Sequence, residues 1–193
     1  MVQNALKNVK MKNILRWMII IPILVFVISF FVNEDSREKF FEEEKITLLE
    51  SEYGFEKVKV TKVVDGDTVI VKLTDGTEEK VRMIGVNTPE SVHSDASKNT
   101  KEGKEASNCT TAYLRDKTVY LQYDTEKEDQ YGRTLAYIWI YGDCNPNNYE
   151  DFCKYNYGAI LFKTTYCEAV YYEPNGMYKE WYEKLDTEYN YGE

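Results

Sequence analysis

The chain has 193 residues, of which 33 are acidic, 24 are basic and one is a histidine, and its net charge at pH 7 is −9. This acidic surplus excludes a generally basic surface that would hold polyanions through a diffuse field. The single histidine, His93, excludes catalytic machinery built on several histidines, and within SVHSDASKN we expect it to be an ordinary loop residue.

The N-terminal part contains a long apolar run. Residues 14–32 read ILRWMIIIPILVFVISFFV, which is long enough to cross a bilayer as a helix. We predict a transmembrane helix, and the alternatives are a buried core helix or a cleaved secretory signal. Basic residues precede the run and acidic residues follow it, so residues 1–13 are expected in the cytoplasm and the folded domain outside. The predicted location is the cell membrane, with a single pass; secretion after cleavage is the alternative.

Residues 33–54 are strongly charged and predict a juxtamembrane helix or stalk rather than a core element. The folded domain is predicted to cover residues 55–193. All the acidic residues but only 20 of the basic ones lie after the apolar run, so the exported part is more acidic than the whole chain. Any polyanion that it handles must therefore be held by a few placed cations or by a bound metal ion.

Strand-like sequence begins at Phe55. The alternating runs EKVKVTKVV, TVIVKLT and EKVRMIGV predict three strands, and Asp75-Gly76 predicts a hairpin between the last two. There follow a helix over 104–117, strands over 118–124 and 134–142, a helix near 154–163, and a C-terminal helix with Met177, Trp181 and Leu185 on its apolar face. Five strands and about three helices predict an α+β, mainly β fold, namely a five-stranded Greek-key barrel of the OB type.

The exported part has four cysteines, Cys109, Cys144, Cys153 and Cys167. An oxidising location allows disulfides, and the spacings match no zinc pattern. Cys144 and Cys153 bracket the polar segment NPNNYEDF and would be the easiest pair to join. Unpaired buried thiols agree with the sequence at least as well.

A two-residue turn at Asp75-Gly76 fixes the partners across the predicted hairpin. Partner numbers then sum to 151, which places Arg82 opposite Val69 and makes Asp67 and Arg82 diagonal neighbours on one face, ~7–8 Å apart. A carboxylate and a guanidinium that face the same way among apolar side chains need each other, water or a ligand. The alternative is an ordinary ion pair on an edge strand.

Residues with oxygen ligands gather at the same end of the hairpin, where Pro89 stops the strand. The Asp67 carboxylate, the Asn87 amide oxygen and a backbone carbonyl near Thr88 predict a hard-cation site of the calcium kind, completed by water. Glu90 lies just beyond, within reach of such a water.

A second arginine, Arg133, opens the strand in DQYGRTLAYIW, directly after a glycine. The structural alternative is a solvated strand entry. Two arginines that converge with one divalent cation on a cleft would bind a phosphate bidentately, and they would neutralise the charge that develops during displacement at phosphorus.

Three ordered motifs, DGDTVIV, R-x-x-x-x-N-T-P-E and D-x-Y-G-R-x-L-A-Y-I-W, resemble the staphylococcal nuclease (thermonuclease) family over roughly residues 55–185. The resemblance implies a calcium-dependent phosphodiesterase on a five-stranded OB barrel that cleaves DNA and RNA and leaves 3'-phosphates. We expect single-stranded or unstructured substrates and a monomeric domain.

The resemblance also implies roles for individual residues. It assigns Asp67, Asn87 and Thr88 to calcium, Arg82 and Arg133 to the phosphate, Glu90 to the general base, Tyr131 to a position near the scissile phosphate, and Tyr171 and Tyr172 to base stacking. Two positions depart from the family pattern: Asn87 replaces a usual aspartate, which should weaken calcium binding, and Gln130 replaces a usual cation.

Two other functions remain open from the sequence. One is a catalytically weak or inactive nuclease-like module that binds nucleic acid or protein, although the retained Asp67, Arg82, Glu90 and Arg133 favour catalysis. The other is an outward-facing surface protein whose hairpin carries calcium, but structural calcium needs no pair of arginines.

Overall fold

The computed structural model of the protein describes residues 34–91, 99–165 and 167–190, together with Val25. No helix among these residues is long and apolar enough to cross a membrane. The predicted span at 14–32 lies outside them apart from Val25, and so does His93. The chain divides into two compact units, Met1–Lys45 and Ile46–Glu193.

Five strands close into a barrel, as the sequence predicted. They are β1 (Phe55–Asp65), β2 (Thr68–Lys72), β3 (Glu78–Met83), β5 (Thr118–Gln122) and β6 (Thr134–Trp139), in the order β1-β2-β3-β6-β5. Neighbouring strands are antiparallel, except that β3 and β6 are parallel. Side chains alternate between the two faces of each strand, and the inward-facing Val60, Val71 and Val81 are fully buried.

The remaining strands form a separate pair, β4 (Val86–Asn87) and β7 (Glu168–Ala169). The described residues contain five helices: α1 (Glu34–Tyr53), α2 (Lys101–Leu114), α3 (Tyr149–Tyr155), α4 (Tyr157–Thr164) and α5 (Lys179–Asn190). The charged segment after the predicted span thus forms a helix, α1.

About three helices were predicted, and part of the difference is a break at Asn156. The single helix expected near 154–163 is two helices, because Asn156 has extended backbone angles and its side chain accepts a hydrogen bond from the Ala159 amide at 3.1 Å. The Tyr182 hydroxyl donates to the same amide oxygen at 2.7 Å. Asn156 is therefore a buried N-cap of α4 that also fixes α5.

The predicted register of the β2–β3 hairpin is wrong by one residue. Thr68 lies opposite Arg82, so partner numbers sum to 150 rather than 151. The reason is the turn, because Leu73 and Thr77 are hydrogen-bonded at 2.8 Å and enclose three residues that end with Gly76 at φ +92°. A three-residue loop with a left-handed last residue replaces the expected two-residue loop.

The apolar face predicted for the C-terminal helix is also partly wrong. Met177 precedes α5 and is half exposed, and Trp181 is only partly buried. The stripe that packs into the core is Tyr178, Tyr182 and Leu185. Tyrosine can face a core when its hydroxyl has a partner, and both rings have one.

All four cysteines are free thiols, so the Cys144–Cys153 bridge is absent. Cys144 and Cys167 are buried, which agrees with the alternative of unpaired thiols. Burial raises the pKa of the Cys144 thiol to about 12.

Candidate active site

Asp67 and Arg82 form a buried ion pair beside the barrel. Arg82 Nη2 lies 3.1 Å from Asp67 Oδ2, and the two side chains are 13% and 9% exposed. The predicted contact is therefore present although the register behind it was wrong. Asp67 lies in the turn before β2 begins at Thr68, so the alternation of a regular strand does not govern its direction.

The guanidinium of Arg82 is held on both of its terminal nitrogens. Nη1 donates to the carbonyls of Met83 and Val86 at 2.7 and 2.8 Å. Nη2 donates to the amide oxygen of Asn87 at 3.2 Å as well as contacting Asp67. The chain from Met83 to Asn87 turns around this group, because Gly85 has φ +86° and β4 begins directly after it.

Thr88 closes the other side of Asp67. Its backbone amide and hydroxyl donate to Asp67 Oδ2 at 3.0 and 3.3 Å, and the Thr68 hydroxyl donates to Oδ1 at 2.8 Å. The structure thus brings together Asp67, Asn87 and Thr88, the three residues predicted to hold calcium.

These three residues fit a hard cation in their chemistry, because they offer a carboxylate, an amide oxygen and a backbone carbonyl. One carboxylate oxygen and the amide oxygen lie within 3.2 Å of the same Arg82 nitrogen, so in this structure the Arg82 guanidinium takes the position on which these two oxygens converge. The described residues contain no cluster of three His, Cys, Asp or Glu side chains that could hold a metal ion. The set is therefore poor in negative charge, as Asn87 in place of an aspartate implies.

Arg133 is oriented by Asp129. Arg133 Nε donates to Asp129 Oδ2 at 2.6 Å, and the other carboxylate oxygen accepts the amides of Tyr131 and Arg133 at 2.9 and 3.0 Å. Partial burial raises the pKa of Asp129, but these hydrogen bonds outweigh burial and hold it below its ordinary value. The tight turn requires Gly132 at φ +71°. The Arg133 guanidinium lies 5.4 Å from the centre of the Tyr131 ring.

Sequence reasoning did not identify Asp129. The signal was present, because an aspartate that starts a turn commonly accepts the amides that follow it.

Arg82 and Arg133 line one cleft of about 450 Å³. Tyr131, Tyr172, Asp129 and Gln130 are also part of its lining. Tyr131 and Tyr172 are 74% and 73% exposed, so both rings are accessible from solvent.

The two tyrosines predicted for base stacking lie in different places. Tyr172 lines the cleft with the arginines. Tyr171 instead contributes to a neighbouring hollow of about 40 Å³, where Lys179 Nζ lies 4.4 Å from its ring centre. Geometry therefore favours Tyr172 as the ring that faces a ligand of the cleft.

Asn175 joins the two walls of this cleft, and the sequence analysis missed it. Its amide oxygen accepts the Glu126 backbone N–H at 2.7 Å, and its amide nitrogen donates to the Glu126 carbonyl at 2.8 Å. Asn175 is 4% exposed. It fastens the loop that carries Tyr172 to the loop that leads to Tyr131.

Glu90, the predicted base, is exposed and lies outside the described lining of the cleft. Its backbone is fixed, because its carbonyl accepts the Thr100 amide at 2.9 Å. Thr100 is also the N-cap of α2 and accepts from the Gly103 amide at 2.9 Å. The start of α2 therefore sets the path of the chain at Glu90.

Comparison with known proteins gives a consistent set of relatives. Residues 80–188 match the family model described as staphylococcal nuclease homologue. The chain is 35% identical over 179 residues to a thermonuclease of Staphylococcus intermedius, covering 92% of this chain and 94% of that protein.

Two further relatives match a shorter part. Identity is 40% over 122 residues to a thermonuclease of Staphylococcus hyicus, covering 63% of this chain and 64% of that protein. It is 28% over 123 residues to endonuclease YncB of Bacillus subtilis, covering 63% of this chain and 52% of that protein.

Proposed function

The chain belongs to the staphylococcal nuclease family, and from this premise we propose that it is a calcium-dependent nuclease that hydrolyses DNA and RNA and leaves 3'-phosphates. The nuclease assignment is supported by thermonuclease relatives at 35–40% identity. The metal, the products and the location of the domain are parts of the proposal.

The observation that carries the proposal is the shared cleft of Arg82 and Arg133, with Tyr131 and Tyr172 in the same lining. A guanidinium presents a planar fork of donors that matches two oxygens of a phosphate. Asp129 fixes Arg133 through Nε, so the two terminal nitrogens of Arg133 form the fork that can face a phosphate. The terminal nitrogens of Arg82 already donate to Met83, Val86 and Asn87 and contact Asp67, so Arg82 contributes a fixed positive charge to the lining of the cleft. Donors that are already oriented stabilise the charge that builds up at phosphorus without first reorganising.

Tyr131 and Tyr172 supply aromatic faces on which bases can stack. Stacking together with backbone contacts reads no base edges and needs no 2'-hydroxyl, so both DNA and RNA suit such a cleft. A cleft of this kind favours single-stranded or unstructured substrate.

Asp67, Asn87 and the Thr88 backbone would hold calcium, which when bound supplies positive charge close to the phosphate and an oriented water. Glu90 would accept a proton from water as the general base, an assignment that depends on the family motif and on its position two residues after Thr88. Arg82 contacts both Asp67 and the cleft, so it connects the two halves of the site.

The test is degradation of heat-denatured DNA by the full-length chain with calcium and with a calcium chelator. We expect Arg133→Ala to lower kcat by ~10²–10³, as loss of one preorganised donor does. Arg82→Lys should have a similar effect, because a lysine keeps the charge but cannot make the four contacts that hold the Arg82 guanidinium in place. Glu90→Gln tests the role of Glu90 as the general base, and we expect it to lower kcat as well.

The matched control is Arg115→Ala, because the Arg115 side chain is exposed, forms a 3.8 Å surface ion pair with Asp116 and lies outside the lining of the cleft. If Arg133→Ala and Arg82→Lys both turned over DNA at the parental rate, the phosphate role would be excluded. Binding of DNA without hydrolysis would favour the inactive module instead.

We further propose that the domain is monomeric and faces outward from the cell membrane, with secretion after cleavage as the alternative. This part depends on the apolar run 14–32 and on the charges around it. Protease treatment of intact cells tests it, because an outward domain is digested while a cytoplasmic one is protected.

A further inference from the structure

Four lysines cluster on the outer face of the barrel. Val60, Val71 and Val81 point into the core, so Lys59, Lys72 and Lys80 next to them point outward. The register of β1 shifts between Val60 and Lys62, so Lys62 faces outward as well. Lys59 lies directly opposite Lys72, and Lys62 lies opposite Ile70, which in turn lies opposite Lys80. All four lysines are exposed. We call Lys59, Lys62, Lys72 and Lys80 the lysine face.

The lysine face continues directly from the cleft. Lys80 and Arg82 are two residues apart on β3 and share one side of the strand, at a spacing of about 7 Å. The parallel register pairs Val81 with Thr134, and continuing it by one residue places Lys80 beside Arg133. Positive groups therefore extend from the two arginines of the cleft across three strands of the barrel.

This arrangement is unusual in a chain with a net charge of −9. Among the described residues, none of the four lysines has an ion-pair partner within 4 Å. Lys59 and Lys72 face each other directly, and like charges in that position destabilise a sheet. The register places two acidic residues on this side of the sheet: Glu78 lies opposite Lys72 at the far end from the cleft, and Asp65 lies opposite Thr68 at the near end. Asp65 is buried and accepts the Ser91 hydroxyl. The amino-acid composition shows that basic residues are fewer than acidic ones, but it does not show that four lysines cluster on this face.

We propose that the lysine face binds the phosphate backbone of a single-stranded polynucleotide where it leaves the cleft. The inference rests on the proposed function, because it extends the same substrate beyond the reacting phosphate. A strand that crosses the lysine face meets cations on three adjacent strands, whereas a substrate of two or three nucleotides occupies the cleft alone. The lysine face therefore selects long polynucleotides over short ones.

The proposed contacts between lysines and phosphates predict how the affinity for a single strand depends on salt concentration. Each phosphate neutralised on a single strand contributes about 0.7 to the slope of log affinity against log salt. Replacing three lysines that each meet one phosphate should lower that slope by about 2. Between 50 and 200 mM salt, the wild-type affinity should then fall about 20-fold more than that of the variant.

The experiment compares the full-length chain with a Lys62→Gln, Lys72→Gln and Lys80→Gln triple variant. Binding of a fluorescent 20-nucleotide single strand is measured by anisotropy in chelator, so that no cleavage occurs, over a series of salt concentrations. With calcium, KM and kcat are then measured on a long single strand and on a trinucleotide.

We expect a higher KM on the long strand, an unchanged kcat, and unchanged values on the trinucleotide. The charge-matched control replaces three helical lysines, Lys154, Lys163 and Lys184, with glutamine. It should keep the wild-type salt slope, and equal thermal unfolding of the variants shows that both are folded.

An equal salt slope in the wild type and the lysine-face variant, or no binding of the oligonucleotide, would overturn the proposal. So would a lysine-dependent binding to vesicles of anionic phospholipid without any change for the oligonucleotide. The two proposals fail separately, because lysine-dependent binding without hydrolysis refutes only the nuclease, and hydrolysis with an unchanged salt slope refutes only the lysine face.

Discussion

Gly103, in the first turn of α2, offers a test of how Glu90 is positioned. A Cβ at this position would lie 2.5 Å from the Glu90 carbonyl carbon and 2.6 Å from the Pro89 carbonyl oxygen. Both neighbours are backbone atoms, so neither can rotate away. The substitution Gly103→Ala therefore moves α2 and the Pro89–Glu90 segment apart without changing a polar or charged group.

The size of the effect follows from these distances. Ordinary contact begins at 3.4 Å, so the Pro89 oxygen must move by about 0.8 Å and the Glu90 carbonyl oxygen, which is the nearest atom, by more than about 1 Å. Overpacking of this kind costs ~1–3 kcal/mol, while alanine in a helix gains ~0.5–1 kcal/mol over glycine. The free energy of unfolding should thus fall by up to about 2.5 kcal/mol. Displacement of a reacting group by about 1 Å can lower the rate ~100-fold, so we expect kcat to fall ~10- to 100-fold.

The assays are urea denaturation and turnover of denatured DNA with saturating calcium. Asn108→Ala is the control, because Asn108 is exposed on the same helix. The change should raise helix propensity without displacing the Pro89–Glu90 segment. A Gly103→Ala protein that lost stability but kept parental turnover would refute the idea that the start of α2 positions a catalytic Glu90.

Three further outcomes are expected. Asn87→Asp adds a second carboxylate to the predicted calcium site and should tighten calcium binding by about 10-fold or more, measured by calorimetry without substrate; unchanged affinity would place the metal elsewhere. Tyr172→Ala should raise KM for single-stranded DNA several-fold and Tyr171→Ala should not, since only Tyr172 lines the cleft with the arginines; the reverse order would reassign the stacking ring. Burial raises the pKa of Asp124, but hydrogen bonds from its neighbours outweigh burial and lower it, so its stabilising effect is present above the unfolded pKa of ~3.9 and is lost as pH falls through the lower folded value. Urea denaturation below about pH 4 should therefore show a steeper loss of stability for the wild type than for Asp124→Asn, and parallel curves would contradict this.

The barrel was predictable because each of its strands has a recognisable local sequence pattern. β-branched alternation covers β1 to β3, and a buried inward face follows from that alternation. The contact between Asp67 and Arg82 was predicted on the wrong grounds. The length of a hairpin loop depends on whether Thr74 leaves the ladder, and the sequence Asp75-Gly76 suits two- and three-residue loops alike.

The parts that sequence reasoning missed depend on contacts between distant segments. Asn156 ends one helix and caps the next, and its amide oxygen also accepts the hydroxyl of Tyr182, 26 residues later. Asn175 pairs with Glu126, 49 residues away. The hydrophobic periodicity of the sequence does not reveal such long-range hydrogen bonds, since an asparagine in either position could equally be exposed. The lysine face was hidden for a similar reason, because it needs the register of three strands and not only their composition.

The paired hydrogen bonds between Asn175 and Glu126 have a consequence for how the cleft receives its ligand. A side-chain amide that meets a backbone amide and carbonyl at once behaves like one rung of a sheet, and here that rung is buried. The loop that carries Tyr172 and the loop that leads to Tyr131 are therefore held together before a ligand binds. The distance between the aromatic rings and the guanidinium groups is therefore set before a ligand binds. Binding then requires little ordering of these loops, which lowers the entropic cost of binding.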